Sequence, residues 1–390
     1  MAKPIFWVLF AVAMISVAGP AHATARYVGT CVKAPHIYPT ISAAVAASAP
    51  NDRINVCPGT YSEQVVISIP LFLAGMEAFT ATGVLDRAVI TLPPNPVANA
   101  MSLFNGETFV PQILVQNVNP AGSFGVVITN LTVDGSANPA GEPLFCQGVG
   151  LSPGLVGIFY DATGNAPGTV GTIGDVTTRN QQTQNVGCGY GIWVENDGPI
   201  NQSVTIQNNS VHDFDLGGIT AVTGPPNAAP ALTATIRGNF VHATAACAEC
   251  SPYGIEAEAI DGTIESNIVT GGAYGIINAL STISITNNTV AGSGIGIWLQ
   301  NVASTATSND ITNVNTAFAL NGSNNPGPTI KSNTTKNTQT VLNYACTPNA
   351  TVTSNTFSDS ATGFSNVPGT APTTSNSLFN IDTITSGACP

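Results

Sequence analysis

The sequence predicts an all-β solenoid, a parallel β-helix of short stacked coils, and three observations predict it. The first is self-similarity. Asn267 to Val269 followed by Gly275-Ile276 returns as Asn288 to Val290 followed by Gly296-Ile297, a spacing of 288 − 267 = 21 residues. The unit recurs as TIQNNSV at 205, TIRGNFV at 235, TIESNIV at 263, SITNNTV at 284, TATSNDI at 305, TIKSNTT at 329 and TVTSNTF at 351, with offsets of 30, 28, 21, 21, 24 and 22. A period of this size marks stacked units that cannot bury their apolar residues alone. The second is composition: the runs are rich in Ile, Val and Thr and are broken too often by Gly and Asn for helices. The third is a Gly-led run accompanying many units, GIWVE at 191, GITAV at 218, GIEAE at 254, GIINA at 275 and GIWLQ at 296. Each coil therefore carries at least two short strands, and 21 residues over three sides leave about seven per side, a strand and a turn.

In order along the chain, residues 1–23 read as a secretion signal, with Lys3 ahead of an apolar run from Ile5 to Val17 and Ala21-His22-Ala23 as the cleavage site. That run is too short to favour a membrane anchor, so the mature chain is expected to be soluble and exported, to a periplasm or the outside. Ile41, Ala44, Val45 and Ser48 have helical spacing, and a short amphipathic helix would cover the apolar end of a solenoid before Pro50 and Asn51 stop it. Residues 24–368 then form one β-helix domain. The stretches 93–122 and 137–190 are less regular and are expected to be coils with large loops, with the rung VVITNLTVDG at 126 between them. Residues 369–390 form a C-terminal tail of little pattern.

The stretch YPTISAAVAASAPNDRINVCPGTYSEQVVI, Tyr38 to Ile67, resembles the opening of secreted right-handed parallel β-helix proteins of the pectate-lyase-like superfamily. There a short helix caps the first coil and a PGTY.E strand follows. The later Gly-Ile and Ile-x-x-Asn units are similar to that superfamily's repeats, so the resemblance spans most of Tyr38 to about Phe364 and implies a right-handed coil. The superfamily includes lyases, hydrolases, esterases and adhesins, and the fold alone does not choose among them.

Stacking places like residues on like. Ile206, Ile236, Ile264, Ile285, Ala306, Ile330 and Val352 should form an inward column, and Asn209, Asn239, Asn267, Asn288, Asn309, Asn333 and Asn355 a second column at the bend that follows. Asn tolerates the left-handed backbone of a sharp bend, and stacked amides hydrogen-bond along the axis. Side chains alternate along a strand, so inward Ile192 and Val194 turn Trp193 and Glu195 outward, and the same rule gives Glu256, Glu258 and Trp298 to that outer face.

That face supplies the candidate chemistry. Glu256 and Glu258, two apart on one strand, suit an acid and base or nucleophile pair, with Glu195 a third carboxylate; paired carboxylates also suit a Ca²⁺ ion. Trp193 and Trp298 either stack on sugar rings or lie under loops of the chain. His212 and His242 occupy matching positions one coil apart beside Asp213, a second candidate binding column. Joined to Cys247 and Cys250 they would make a zinc-like set, but an oxidising compartment favours a disulfide there, and no metal is assigned. The pairing expected from proximity is Cys31–Cys57, Cys146–Cys188, Cys247–Cys250 and Cys346–Cys389. The insertions Thr223 to Ala234 and Ala243 to Tyr253 are placed to wall a groove.

Other classes are disfavoured. Nine Lys and Arg residues are scattered over the chain, and loss of Lys3 takes the net charge from −12 to −12 − 1 = −13, so nucleic acid has no basic stripe to bind. The Gly-x-Ser-x-Gly match at Gly150 to Gly154 stands among Gly-rich stretches that alternate with strands and open no helix. No phosphate loop or adjacent aspartate pair of the polygalacturonase type is present, and Arg237, a candidate lyase base, is expected to pair with Glu265 on the surface. Two readings remain: a monomeric exported protein that binds and cleaves a polysaccharide as a glycoside hydrolase or lyase, and a non-catalytic surface or adhesive β-helix. A panel of polysaccharide substrates separates them.

Overall fold

The computed structural model describes residues 23–79, 85–116, 118, 125–137, 153–162, 170–182, 189–198, 201–224, 232–244, 251–300, 303–322, 327–345, 350–368 and 375–388. They form a right-handed parallel β-helix whose strands fall into two long sheets of 13 and 21 strands. One coil shows the plan. Gln202–Gln207 lies in the first sheet, the chain bends, Ser210–His212 begins the second, and Gly217–Thr223 completes the turn.

The apolar column exists, and it is longer than the repeat suggested. Ile206 pairs with Ile236, then Ile264, Ile285, Ala306, Ile330 and Val352 follow in register. It also runs back through Ile173, Ile128 and Leu73 to Ile54. All of these side chains are buried, because a coil offers its inward residues nothing but the coils above and below.

The Asn column is a hydrogen-bonded ladder. Asn239 donates its side-chain N–H to Asn267 Oδ1 at 2.9 Å and to the Ile206 carbonyl at 3.0 Å, and the same pair of bonds repeats at Asn267, Asn288, Asn309 and Asn333. Each backbone N–H at these positions also donates to the next Asn, so the bend leaves no polar group of these amides unmet in a buried place. The left-handed residue is the one before: Asn208, Gly238, Ser266, Asn287, Ser308, Ser332 and Ser354 have φ of 55° to 63°. The ladder Asn is thus there for its amide, and its neighbour makes the turn.

The Gly-Ile strands owe their glycine to close stacking. A Cβ on Gly191, Gly218, Gly254 or Gly275 would stand 2.5–2.7 Å from the carbonyl oxygen of the glycine one coil on, and 2.2–2.5 Å from a core valine methyl. The same contact occurs at Gly157, in a coil the repeat had not revealed.

The cap helix is Ile41–Ala46, with Ile41 and Ala44 buried against the first coils. Thr40 caps its N-terminus, and Glu63 of the PGTYSE stretch accepts from the Ile41 and Ser42 amides, both at 2.8 Å. Cys31 and Cys57 are joined by a disulfide across a sequence separation of 26. The other three expected pairs each involve Cys146, Cys188, Cys247, Cys250, Cys346 or Cys389, all outside the described residues, as is the signal segment up to residue 22. The ladder continues past residue 368: Ser377–Ala388 pairs in parallel with Thr356–Val367, and Asn376 receives the side-chain N–H of Asn355.

Candidate functional site

The outer face of the second sheet carries three side-by-side columns. The middle one runs Leu114, Phe159, Trp193, Thr220, Glu256, Ile277, Trp298. Beside it stand Gln116, Asp161, Glu195, Val222, Glu258, Ala279 and Gln300. On the other side are Tyr190, Gly217, Tyr253 and Tyr274. Alternation along each strand fixes the first two columns, so Glu256, Glu258, Trp298, Trp193 and Glu195 do share a face. The tyrosines, three residues ahead of the middle column, join the same aromatic cluster because the ladder skips the glycine between them.

They do not share an environment. Trp193 is only 2% exposed and Glu195 fully buried, so of the two places open to Trp193 the one under the chain is realised, and Glu195 is enclosed with it. The cover is a hairpin: Ala100–Met101 pairs antiparallel with the start of Thr108–Gln116, and residues 102–107 turn over the face. Phe109 packs on Trp193 with ring centres 5.0 Å apart and on Tyr190 at 5.5 Å. The hairpin also hangs on carboxylates, since Phe104 N–H donates to Glu195 at 2.8 Å and Leu103 N–H to Asp197 at 3.4 Å. The Trp193 indole donates to the other Glu195 oxygen at 2.8 Å, so the pair that sequence offered as sugar platform and catalyst is a packing unit. Burial and the adjoining Asp197 hold Glu195 well above the usual carboxylate range.

Beyond the hairpin the face is more open, and Glu256, Glu258, Tyr274 and Trp298 are half-buried. Burial pushes Glu256 up to about 7 against the opposing effect of the Tyr253 phenol, and the Glu258 charge raises it further. Glu258 is raised by burial as well. Trp298 stacks on Tyr274 at 5.2 Å with planes 18° apart, an aromatic shelf two coils from Glu256. The hairpin adds an acid that sequence reasoning missed: Glu107 accepts from the Tyr190 hydroxyl at 3.2 Å, and burial pushes it up to about 7. Tyr190 lies in the fields of both Glu107 and Glu256, which together with burial keep its phenol protonated.

Glycines make room for this array. A Cβ on Gly217 would lie 2.7 Å from the Tyr190 ring and 2.8 Å from the Tyr253 hydroxyl, one on Gly154 would lie 2.9 Å from Glu107 Oε1, and one on Gly224 2.1 Å from Asp197 Oδ1. The break in the tyrosine column at Gly217 is the signal in the sequence that pointed here.

The structure does not bring the histidine column to this site. His212 and His242 are in register one coil apart, but on the strands Ser210–His212 and Phe240–Ala243 of a different side. His212 Nδ1 lies 2.6 Å from Asp213 Oδ2, and His242 Nδ1 2.8 Å from Thr270 Oγ1. Among the described residues no group of three His, Cys, Asp or Glu side chains is arranged to hold a metal. Arg237 donates to Gln207, at 2.6 and 3.0 Å, and not to Glu265, because its side chain turns to the preceding coil. Of the expected walls, Thr223 to Ala234 and Ala243 to Tyr253, residues 225–231 and 245–250 lie outside the described residues.

Among solved structures, the chain is similar to a GH136 lacto-N-biosidase from Eubacterium ramulus, with a TM-score of 0.58 and 10% identity over 94% of this chain and 68% of that one. It is similar also to a DFA-IIIase from Arthrobacter chlorophenolicus A6, solved with DFA-III, with a TM-score of 0.50 and 15% identity over 86% and 83% of the two chains. These likenesses show the right-handed parallel β-helix fold. No protein-family model matches the sequence, and no curated protein matches it. No helix among the described residues is long and apolar enough to cross a membrane.

Proposed function

We propose that this chain is an exported glycoside hydrolase acting on a neutral polysaccharide at the Glu256 face. The observation that carries the reading is the pair Glu256 and Glu258 on one strand, with Cα atoms about 6.5 to 7 Å apart, beside an aromatic shelf. Their environments separate them. Glu256, the more strongly raised, keeps its proton near neutrality and donates it to the glycosidic oxygen, while Glu258 ionises first and serves as the base for water or stabilises the positive charge on the sugar. Trp298 and Tyr274 offer their ring faces to a saccharide. A lacto-N-biosidase on the same fold supports the substrate class.

Charge favours a hydrolase over a uronate lyase. The titratable groups of the face are the carboxyls Glu107, Asp161, Glu195, Asp197, Glu256 and Glu258 and the phenols of its tyrosines, and no Lys or Arg lies on its strands from Gly154–Ala162 to Ile295–Gln300. A uronate polymer would meet no cation on these strands to pair with its carboxylates, and a lyase would lack a Lys or Arg there to act as its base. The Cys31–Cys57 disulfide supports export to an oxidising compartment. The adhesive reading gains from buried Trp193, yet it leaves the half-exposed Trp298 and the tuned Glu256 without a role. The test is reducing-sugar release from xyloglucan, galactomannan, arabinan and inulin beside pectate and alginate, with Glu256→Gln as control. Turnover of uronates alone, or equal turnover by Glu256→Gln, would overturn the proposal.

A further inference from the structure

Among the described residues, the face that carries Glu256 is closed at one end and open at the other. The hairpin covers the coils of Gly154–Ala162 and Gly189–Asn196 and reaches the end of Gly217–Thr223, where a Cβ on Gly224 would stand 3.0 Å from the Phe104 nitrogen. Thr220 and Val222, under that edge, are fully buried. Their partners one coil on, Glu256 and Glu258, are the first half-exposed groups of their columns past the hairpin, roughly 5 Å farther along the axis. The carboxylates therefore stand against a wall, while Trp298 lies two coils away on the open side.

The wall is built to stay. Phe109, Phe159, Tyr190 and Trp193 form one edge-to-face aromatic cluster beneath it, with ring centres between 4.8 and 6.4 Å apart. Glu195, Asp197 and Tyr190 hold its backbone and its Glu107 by hydrogen bonds. Glu107 is a half-buried polar group of the wall on the Tyr190 side, where it accepts from Tyr190 and Asn105 at 3.2 Å each, two coils or about 10 Å from the Glu256 strand.

We infer that the hairpin makes the site specific for chain ends: the terminal sugar abuts the wall with its free hydroxyls on Glu107, and the rest of the polymer extends over Trp298. An internal segment cannot thread past residues 102–107, so cleavage proceeds from the end. Held up to about 7 by burial, the Glu107 carboxyl both donates to and accepts from hydroxyls around neutrality.

This inference rests on the hydrolase reading, and product analysis separates the two. On whichever of xyloglucan, galactomannan, arabinan and inulin is cleaved, reducing ends should accumulate while viscosity holds, with one short product from the first minutes. Replacing residues 102–107 by Gly-Gly should make viscosity fall several-fold faster per bond cleaved. Since that variant uncovers Trp193 and can fail to fold, Glu107→Gln and Glu107→Ala provide a second reading: KM on short oligosaccharides should rise several-fold in both, more in Ala, with kcat changing less. Early collapse of viscosity with the parent protein overturns end specificity and leaves the hydrolase standing. Binding without cleavage is decided by chain length: at equal mass, shorter chains of whichever of the four polymers is bound must compete in proportion to their number of ends, and competition independent of chain length overturns the inference. Neither binding nor cleavage of any of the four overturns both readings.

Discussion

The Tyr190 hydroxyl donates to a Glu107 carboxyl oxygen at 3.2 Å, joining residues 83 apart in sequence and pinning the hairpin to the face it covers. Tyr190→Phe keeps the ring in its aromatic cluster and removes only this bond. The expected cost is about 1 kcal/mol, with faster amide exchange confined to residues 100–108. Mass-spectrometric hydrogen exchange reads it directly, and unchanged exchange there would show that the carboxylate contacts of Phe104 and Leu103 hold the hairpin alone.

Acidity should protect this protein over a defined window. Glu107 and Glu256 rise from an ordinary value of 4.5 to about 7, so the folded state binds more protons than the unfolded state between these limits. Stability is greatest below about 4.5 for these two groups and is lost as pH rises through about 7. The melting temperature should decline across that interval, and the double variant Glu107→Gln, Glu256→Gln should flatten the decline. If Glu256 is the proton donor, activity falls on the alkaline side near the same pH. A melting temperature that climbs from pH 4.5 to 7 equally in parent and variant would contradict the assignment.

The two tryptophans on one face should behave in opposite ways. Trp193→Ala empties the centre of a buried aromatic cluster and orphans a contact of Glu195, at about 4 kcal/mol. Trp298→Ala removes a half-exposed ring that stacks on Tyr274, so the melting temperature should move little while saccharide affinity drops by about 1 kcal/mol, roughly fivefold. Thermal melts and titration with the oligosaccharide found by the substrate panel decide it. A large loss of stability from Trp298→Ala would make that ring a packing residue and remove the shelf.

What the sequence could tell followed from its repetition. Columns of Ile and Asn, the outward direction of Trp193, Glu195, Glu256, Glu258 and Trp298, and the Cys31–Cys57 pairing were legible because stacking translates sequence period into position. Which alternative Trp193 takes, and that Glu195 is enclosed with it, was not, because the covering residues, 100–109, belong to no repeat and reach the face from two coils away. Local signals were nonetheless present. Gly217 interrupts a tyrosine column, and Ser375-Asn376 stands 376 − 355 = 21 residues after Asn355, which marks the last coil in the stretch expected to be a tail.

The ladder supplies the sharpest test of the fold. Asn288 gives its side-chain N–H groups to the Ile264 carbonyl and Asn309 Oδ1, each at 2.9 Å, and takes hydrogen bonds from the backbone and side chain of Asn267 at 3.0 and 2.9 Å. Asn288→Ala leaves the Ile264 carbonyl and both Asn267 donors on the preceding coil without this partner and takes one of two hydrogen bonds from Asn309 Oδ1, and the expected loss is about 3 kcal/mol or more. Asn288→Asp retains the two accepted bonds but, when ionised, cannot donate and sets its charge against Asn309 Oδ1 and the Ile264 carbonyl. It should therefore be the worse variant at pH 7 and regain part of the loss at pH 4, where a protonated carboxyl donates once. The neighbour Asn287, left-handed at φ 55°, makes the control: Asn287→Gly should be nearly neutral, since glycine accepts that backbone without strain. Urea unfolding of the three variants at both pH values gives the comparison, and an Asn288→Ala protein as stable as its parent would mean that the amide column contributes nothing to holding the coils together.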